Sequence, residues 1–514
     1  MQKARGIDKG HQTNSGFSAQ RTTRCERNVR VKRVMTFRRR DLPVTQGDVP
    51  ARGRPKRIAA TAASIKNPTP IEAHKARRVK SLHAKRHTFN VHRAYAMRYT
   101  RKISRRNALL VLINYIAIEL ADPSSGIGYL ALNFTLQNRI NLSALEMAHF
   151  IAVSQFAWYV KPIAGILSDN VPLFGTRRRA YLLIATAAAS ALWLLLGSVP
   201  PTYFPFLSIT IALNAVLMVI STVIGGFLVE AAQQESATGR LSSNRSMAEN
   251  LVALIVGPAA GLLGAVFLGV SAGLLASLLF SLTILLYFLM REQSDAQFNR
   301  YTWRRTVIQV KTCCRSGQIW TAAGILSLIN FTPGFQTPLF YYQTKTLKFS
   351  SQLIGNLSAL TAAFSLVAPL VYVYMCKRLR LRLSLLFATC LNVIGILLFL
   401  AYHSRAAAMW ISSANGLLGA LAIVAVYDLL ARAIPRSSEA FGYSLVFSIG
   451  NIASSVSNIW GSWLWDRLQN FATLVWLNAG TTAMILLVIP ILPAKLVNWS
   501  EEEPASKIRD SPGA

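Results

Sequence analysis

The chain has 514 residues and a formal net charge of +34, with 52% hydrophobic and only 15% charged residues. A soluble domain carries about a quarter charged residues, so an ordinary soluble protein is excluded. The charge is also uneven: residues 1–106 hold 29 Lys+Arg against 5 Asp+Glu, and two regions of different physics meet near Arg106.

The basic region, 1–106, has no apolar run long enough to cross a membrane. It carries "RVKRVMTFRRR", "ARGRPKR" and "HKARRVKSLHAKRH". Three readings stand open. It is a disordered, membrane-hugging or untranslated segment, with Met97 as a later start. It is an organelle transit peptide, Arg-rich and acid-poor as that requires. Or it binds anionic lipid or nucleic acid by charge alone. No folded nucleic-acid motif is present, and no nucleic acid is expected as partner.

From Asn107 to Leu496 long apolar runs alternate with short polar bridges. A bilayer core needs about 20 helical residues. Twelve spans are expected, at about 107–133, 145–168, 179–199, 203–229, 246–268, 270–290, 318–341, 352–376, 383–402, 408–433, 438–463 and 471–493. The fold class is an all-α membrane protein, since only helices or closed barrels cross lipid and strand-length alternation is absent. The expected organisation is a first half at 107–290, a central loop at 291–317, a second half at 318–496 and a short tail at 497–514.

Bridges after even-numbered spans contain 17 Lys+Arg, and bridges after odd-numbered spans contain 5. By the positive-inside rule the even bridges and both termini face the cytoplasm or stroma. The membrane is then a plasma or inner membrane, or a plastid envelope if the tail is a transit peptide. Of five cysteines none falls in an expected outer bridge, so reduced thiols are expected. There is no CxxC, no GxSxG, no HExxH and no P-loop, and only His149 and His403 lie outside the tail. Neither a metal, a cofactor nor an enzyme activity is expected.

The two halves overlay at an offset of 207 residues. "LNFTLQNRINLS" (Leu132–Ser143) falls on "LFYYQTKTLKFS" (Leu339–Ser350), and Pro162 on Pro369. In both segments a Ser stands where the next helix should be capped. Two parallel six-helix repeats joined by a longer loop resemble the major facilitator architecture.

Charged groups inside spans cost several kcal/mol, by order of magnitude, unless they face a cavity or a partner. Glu119 and Asp122 in span 1 and Lys161 in span 2 are the candidates for solute binding or proton coupling. Asp122 precedes Pro123, where the helix should break and expose backbone. Lys161 could also snorkel to the surface. Glu230 and Asp428 lie near helix ends on the even side and read as gate or solvated charges. Glu249 could pair with Arg245 one turn earlier. Asp169 ends span 2 and Arg177, Arg178 and Arg179 begin span 3. A carboxylate facing guanidinium groups across a tight turn is a two-state element suited to an inner gate.

"FIAVSQFAWYVKPIAGILSDNVPLFGTRRRAYLL" resembles the signature of the folate–biopterin transporter family. The matching residues are Trp158, Lys161, Pro162, Gly165, Ser168, Asp169, Pro172, Phe174, Gly175 and Arg177–Arg179. Supporting similarity lies in Thr337–Gly355 and Ser438–Ser462. The resemblance covers about 380 residues, by rough count, and excludes the tail. It implies a carrier, acting as a monomer, for a folate- or pterin-like anion, with a proton as coupling ion and lipid as surroundings. Gln137, Asn138, Ser221, Gly225 and Asn458 are neutral where family members tend to carry charge, which leaves solute and coupling open. Transport of a sugar, peptide or nucleotide conjugate, or a receptor or anchor role, are the alternatives.

Overall fold

In the computed structural model, residues 105–176, 178–235, 238–290, 300–434 and 439–493 are described. Within helices the side chains at 105–112, 168–169, 226–250, 300–302, 305, 377, 431–432 and 439–440 are not among them. The expected basic tail, apart from Arg105 and Arg106, and the expected C-terminal tail lie outside the described residues.

Seven helices are long and apolar enough to cross a membrane unbroken: Arg179–Ser198, Tyr203–Gly225, Leu268–Leu289, Ser351–Cys376, Leu381–Ala401, Arg405–Leu430 and Phe471–Ile491. The other expected spans are present as interrupted or more polar helices. Span 1 is α1 (Arg105–Ala121) and α2 (Tyr129–Asn138). Span 2 is α3 (Ala144–Ser154), α4 (Phe156–Tyr159) and α5 (Lys161–Asn170). Spans 3 to 6 are α6 (Arg179–Ser198), α7 (Tyr203–Glu235), α8 (Thr238–Gly264) and α9 (Leu268–Leu289). The central loop contains a helix that sequence reading missed, α10 (Arg300–Arg315). Span 7 is α11 (Gly317–Asn330) and α12 (Gln336–Tyr341), continued by a π-turn at Tyr342–Thr346. Span 8 is α13 (Ser351–Ser365) and α14 (Val367–Arg378), and spans 9 to 12 are α15 (Leu381–Leu398), α16 (Arg405–Ala433), α17 (Glu439–Leu468) and α18 (Phe471–Val488).

The interruptions have local causes. α1 stops at Ala121 because Pro123 disfavours helix at Asp122 and lacks its own N–H. The Asp122 carboxylate accepts the Ser124 N–H at 2.6 Å, and the stranded Ala121 carbonyl accepts from buried Trp193 Nε1 at 3.0 Å. In span 2, Pro162 cannot bond back to the Trp158 carbonyl, which accepts instead from the Ser448 hydroxyl of α17 at 3.2 Å. Span 7 breaks at Thr332-Pro333-Gly334, a site read as continuous helix from sequence.

The internal repeat is visible in three dimensions. Ser143 and Ser350 both cap, accepting the N–H of Glu146 and of Leu353. Ser143 and Glu146 form a full capping box. Asn141 and Lys348, also 207 apart, both adopt left-handed backbone, at φ 62° and 52°. The breaks of spans 1 and 7 superpose at the same offset. Across the halves span 5 packs on span 8 and span 2 on span 11, pairs that exchange under the repeat.

Loops after odd-numbered spans meet at one end of the bundle. Arg139 lies over the Phe267 ring at 5.5 Å, and Tyr342 stacks on Phe471 at 4.5 Å. That end is called the odd end below. Large apolar side chains such as Phe288, Leu370, Trp410 and Leu487 point outward with most of their surface free. Helices apolar on every face suit lipid surroundings.

Candidate functional site

Lys161 opens α5, directly after the break in span 2. Its Nζ donates to Ser221 Oγ of α7 at 3.1 Å and sits 4.9 Å from the centre of the Trp158 ring. A cation over an indole face is held by the ring quadrupole, worth about 0.5–2 kcal/mol depending on desolvation. Trp158 is itself fixed, its Nε1 donating to buried Asn214 Oδ1 at 2.9 Å. These partners place Lys161 among neighbouring spans, so its first turn is not a free snorkelling arm.

The same stretch touches the other half. Tyr159 donates from its hydroxyl to Ser455 Oγ of α17 at 2.6 Å, beside the Ser448–Trp158 bond. The indole and the ammonium thus sit between spans 2 and 4, while the phenol and the Trp158 carbonyl reach span 11. Position 221 maps onto Asp428 by the repeat offset, and Asp428 Oδ2 accepts the Tyr372 hydroxyl of α14 at 2.8 Å. The two halves place a hydroxyl beside a lysine in one case, and a carboxylate beside a tyrosine in the other.

Asp122 spends its Oδ1 on the Ser124 backbone, and Ser124 Oγ accepts from Gln155 Nε2 of span 2 at 3.0 Å. Its described role is to end α1. Glu119 is half-buried on α1, one turn before the break.

At the loop after span 2 the backbone makes a tight turn. Leu173 and Thr176 exchange both backbone bonds, and Phe174 and Gly175 take φ of 49° and 70°. Glycine accepts that conformation without strain, while phenylalanine does so only because the turn demands it. Thr176 Oγ1 accepts the Ala180 N–H at 3.1 Å, which ties the turn to α6. Arg179 donates from Nη2 to the Tyr287 carbonyl in the last turn of α9 at 2.9 Å. The carbonyl end of a helix is the favourable place for a cation, so Arg179 serves the span 3–span 6 contact. Arg178 flanks the start of α6 and is half-buried. Arg177 and the side chains of Asp169, Glu230 and Glu249 lie outside the described residues.

The odd end carries contacts not anticipated from sequence. Gln137 Nε2 donates to Thr344 Oγ1 at 2.8 Å, Leu145 N–H donates to Asp466 Oδ2 at 3.0 Å, and the Tyr341 hydroxyl donates to the Leu142 carbonyl. Between the halves a Cβ on Gly355 would collide with the Gly257 carbonyl and lie 2.8 Å from Gly261 Cα. Spans 5 and 8 therefore touch backbone to backbone, as small residues allow in lipid. Tyr402, buried beside this end, accepts from Gln343 Nε2 at 2.7 Å. Applying the 207-residue offset to Gln137 would have pointed to Thr344.

The break of span 7 is clamped by spans 11 and 12. Gly334 N–H donates to the Ser457 carbonyl at 3.0 Å, the Ser457 hydroxyl donates to the Thr332 carbonyl, and Asn478 Nδ2 donates to the Pro333 carbonyl at 2.7 Å. Asn458 accepts the Thr337 N–H at 3.0 Å and donates to its hydroxyl at 2.8 Å. The amide at 458 thus serves as the cap of α12.

Comparison with known proteins agrees with this geometry. The BT1 family matches residues 124–510. A folate-biopterin transporter of Synechocystis is 27% identical over 428 residues, covering 78% of this chain and 85% of its own. Folate transporter 1 of Plasmodium falciparum is 24% identical, covering 71% and 75%. Among solved structures, the nucleoside transporter NupG aligns over 76% of this chain and 99% of its own, with a TM-score of 0.59 at 10% identity. A D-xylose-proton symporter aligns over 75% and 96%, with a TM-score of 0.54 at 14% identity. Both solved structures establish the shared major facilitator fold. The chain is a multi-pass membrane transporter of that fold and belongs to the BT1 family.

Proposed function

We propose that the chain moves a small anionic heterocycle of the folate or pterin type by alternating access, working as a monomer. One observation carries the reading: the Lys161 ammonium is held on the Trp158 ring and on Ser221 of span 4, and the adjoining residues of span 2 touch span 11 through the Tyr159 hydroxyl and the Trp158 carbonyl. An aromatic face and a cation together suit a planar, negatively charged solute. The Synechocystis and Plasmodium relatives are named for such solutes.

Span pairs 2–11 and 5–8 are the surfaces on which the halves rock. Asp169 with Arg177 and Arg178 supplies the gate at the even end, and Glu230 and Asp428 are helix-end charges beside it. In this reading the even end and both termini face the cytoplasm or stroma, which the excess of basic residues in the even loops supports. Glu119 or Asp122 is the proton carrier.

The test is uptake of labelled folate and biopterin into proteoliposomes, with and without a pH gradient. Saturable uptake that Lys161→Ala lowers at least about tenfold, roughly 1.4 kcal/mol of binding or barrier, is the expected result. Absence of uptake of any pterin-like compound would overturn the solute class, and full activity of Lys161→Ala would overturn the role of that residue. The hydroxyl at 221 and the amide at 458 favour a second reading, a carrier for another solute such as a sugar, peptide or nucleotide conjugate. Competition by such compounds in the same vesicles separates the two.

A further inference from the structure

α10 lies in the loop between the halves and is amphipathic in an unusual arrangement. Its sequence is RYTWRRTVIQVKTCCR. At about 100° per residue, Thr306, Val310 and Cys313 fall on one arc, and Cys313 is fully buried against the second half. The adjoining arc, within about 40° by the same geometry, holds Trp303, Val307 and Cys314. All three are exposed, Trp303 at 40% and Val307 at 50%. The next arc carries Arg304, Lys311 and Arg315, each exposed, with Ile308 beside them at 65%.

Among the described residues, protein therefore covers only one edge of the apolar face. The remaining apolar arc is bordered by cations along the full helix. The helix is also anchored at membrane level, since Ser316 follows it and caps α11, the start of span 7, by accepting from Ile319 N–H. Trp320 Nε1 of span 7 reaches back to the Cys314 carbonyl at 2.8 Å. At its other side Thr306 Oγ1 accepts from Asn170 Nδ2, at the end of span 2, at 3.4 Å.

We propose that α10 is an interfacial helix that binds the anionic leaflet at the even end of the bundle. Trp303, Val307 and Cys314 enter the acyl boundary, and Arg304, Lys311 and Arg315 engage lipid phosphates. An apolar arc flanked by basic residues is the composition that lies in an interface. Each basic residue near an anionic surface adds an attraction that salt screens. Three cations and a tryptophan bind the leaflet without help from the N-terminal basic region.

Cys314 reports the docking directly. The full chain is placed in nanodiscs of phosphatidylcholine alone, or with roughly a third phosphatidylglycerol, and treated with a membrane-impermeant maleimide, with Cys314→Ser as background. Labelling of Cys314 is expected to slow at least about tenfold in the anionic discs, equivalent to roughly 1.4 kcal/mol of protection. Salt near 1 M, where the Debye length is about 3 Å, restores it, and so does Arg304→Glu/Lys311→Glu/Arg315→Glu. Equal labelling in the two kinds of disc would overturn the proposal. Protection in anionic discs that survives both salt and charge reversal would also overturn it, because the cover would then be protein.

Discussion

Replacing Asn458 by leucine, a residue of similar size, removes the cap of α12 and leaves the chain otherwise intact. Two bonds are lost, the Thr337 N–H to Oδ1 at 3.0 Å and the Nδ2 to the Thr337 hydroxyl at 2.8 Å. The hydroxyl oxygen loses only a donor and keeps its own O–H free to bond, so that loss costs about 0.6 kcal/mol, the average for interhelical bonds in membranes. The N–H cannot turn. It is left buried without water, at about 1–3 kcal/mol. The sum is about 2–4 kcal/mol, concentrated on the contact between spans 7 and 11. Thermal unfolding of the purified protein in one detergent, at one scan rate, should show a midpoint lower by on the order of 5 °C. Asn458→Asp should lose less, because a carboxylate still accepts the N–H and the hydroxyl can donate to it. If Asn458→Leu melts within about 1 °C of the parent, the break of span 7 is not held by this amide and the reasoning fails.

Three further outcomes follow from other contacts. Gly355→Val should insert and purify normally yet lose most uptake, since even a Cβ at 355 collides with the Gly257 carbonyl; retention of full uptake would mean that spans 5 and 8 need not close. Trp158→Phe keeps a ring beneath Lys161 but loses the bond to Asn214, so KM should rise by about two- to fivefold, whereas Trp158→Ala should raise it further; equal values for both would remove the ring from the site. Asp428→Asn retains an acceptor for the Tyr372 hydroxyl and should melt a few degrees higher than Asp428→Leu, which offers none; identical melting of the two variants would show the bond to be without weight.

Much of the architecture was legible because it rests on periodicity and local chemistry. Apolar runs and their basic bridges marked the spans, and Ser143 and Ser350 announced two helix starts because a serine oxygen can accept an orphan N–H wherever the chain turns into a helix. Pro123 signalled the break in span 1 for a similar reason. Thr332-Pro333-Gly334 carried the same signal but sat within an apolar run, and mean hydropathy does not register a missing N–H. α10 is not legible as a helix in the linear sequence because its charges outweigh its apolar stripe until the residues are placed around a helix.

The site was less legible. A charge inside a span can be seen in sequence, but its partner is a matter of packing. Lys161 could not be assigned to Ser221, 60 residues away, nor Tyr159 to Ser455 in the other half. Asp122 shows the converse case. It looked like a cavity carboxylate, and its nearest need turned out to be its own backbone at Ser124.

The bond between Gln137 and Thr344 joins positions related by the repeat itself, 207 residues apart. A point and its image under a two-fold rotation can meet only on the axis of that rotation. That bond therefore marks where the pseudo-symmetry axis leaves the bundle at the odd end. A solute travelling between the halves must pass the same point. Opening that end means parting this bond together with those from Leu145 to Asp466 and from Tyr341 to Leu142, so the axis is closed by a small set of bonds and not by one.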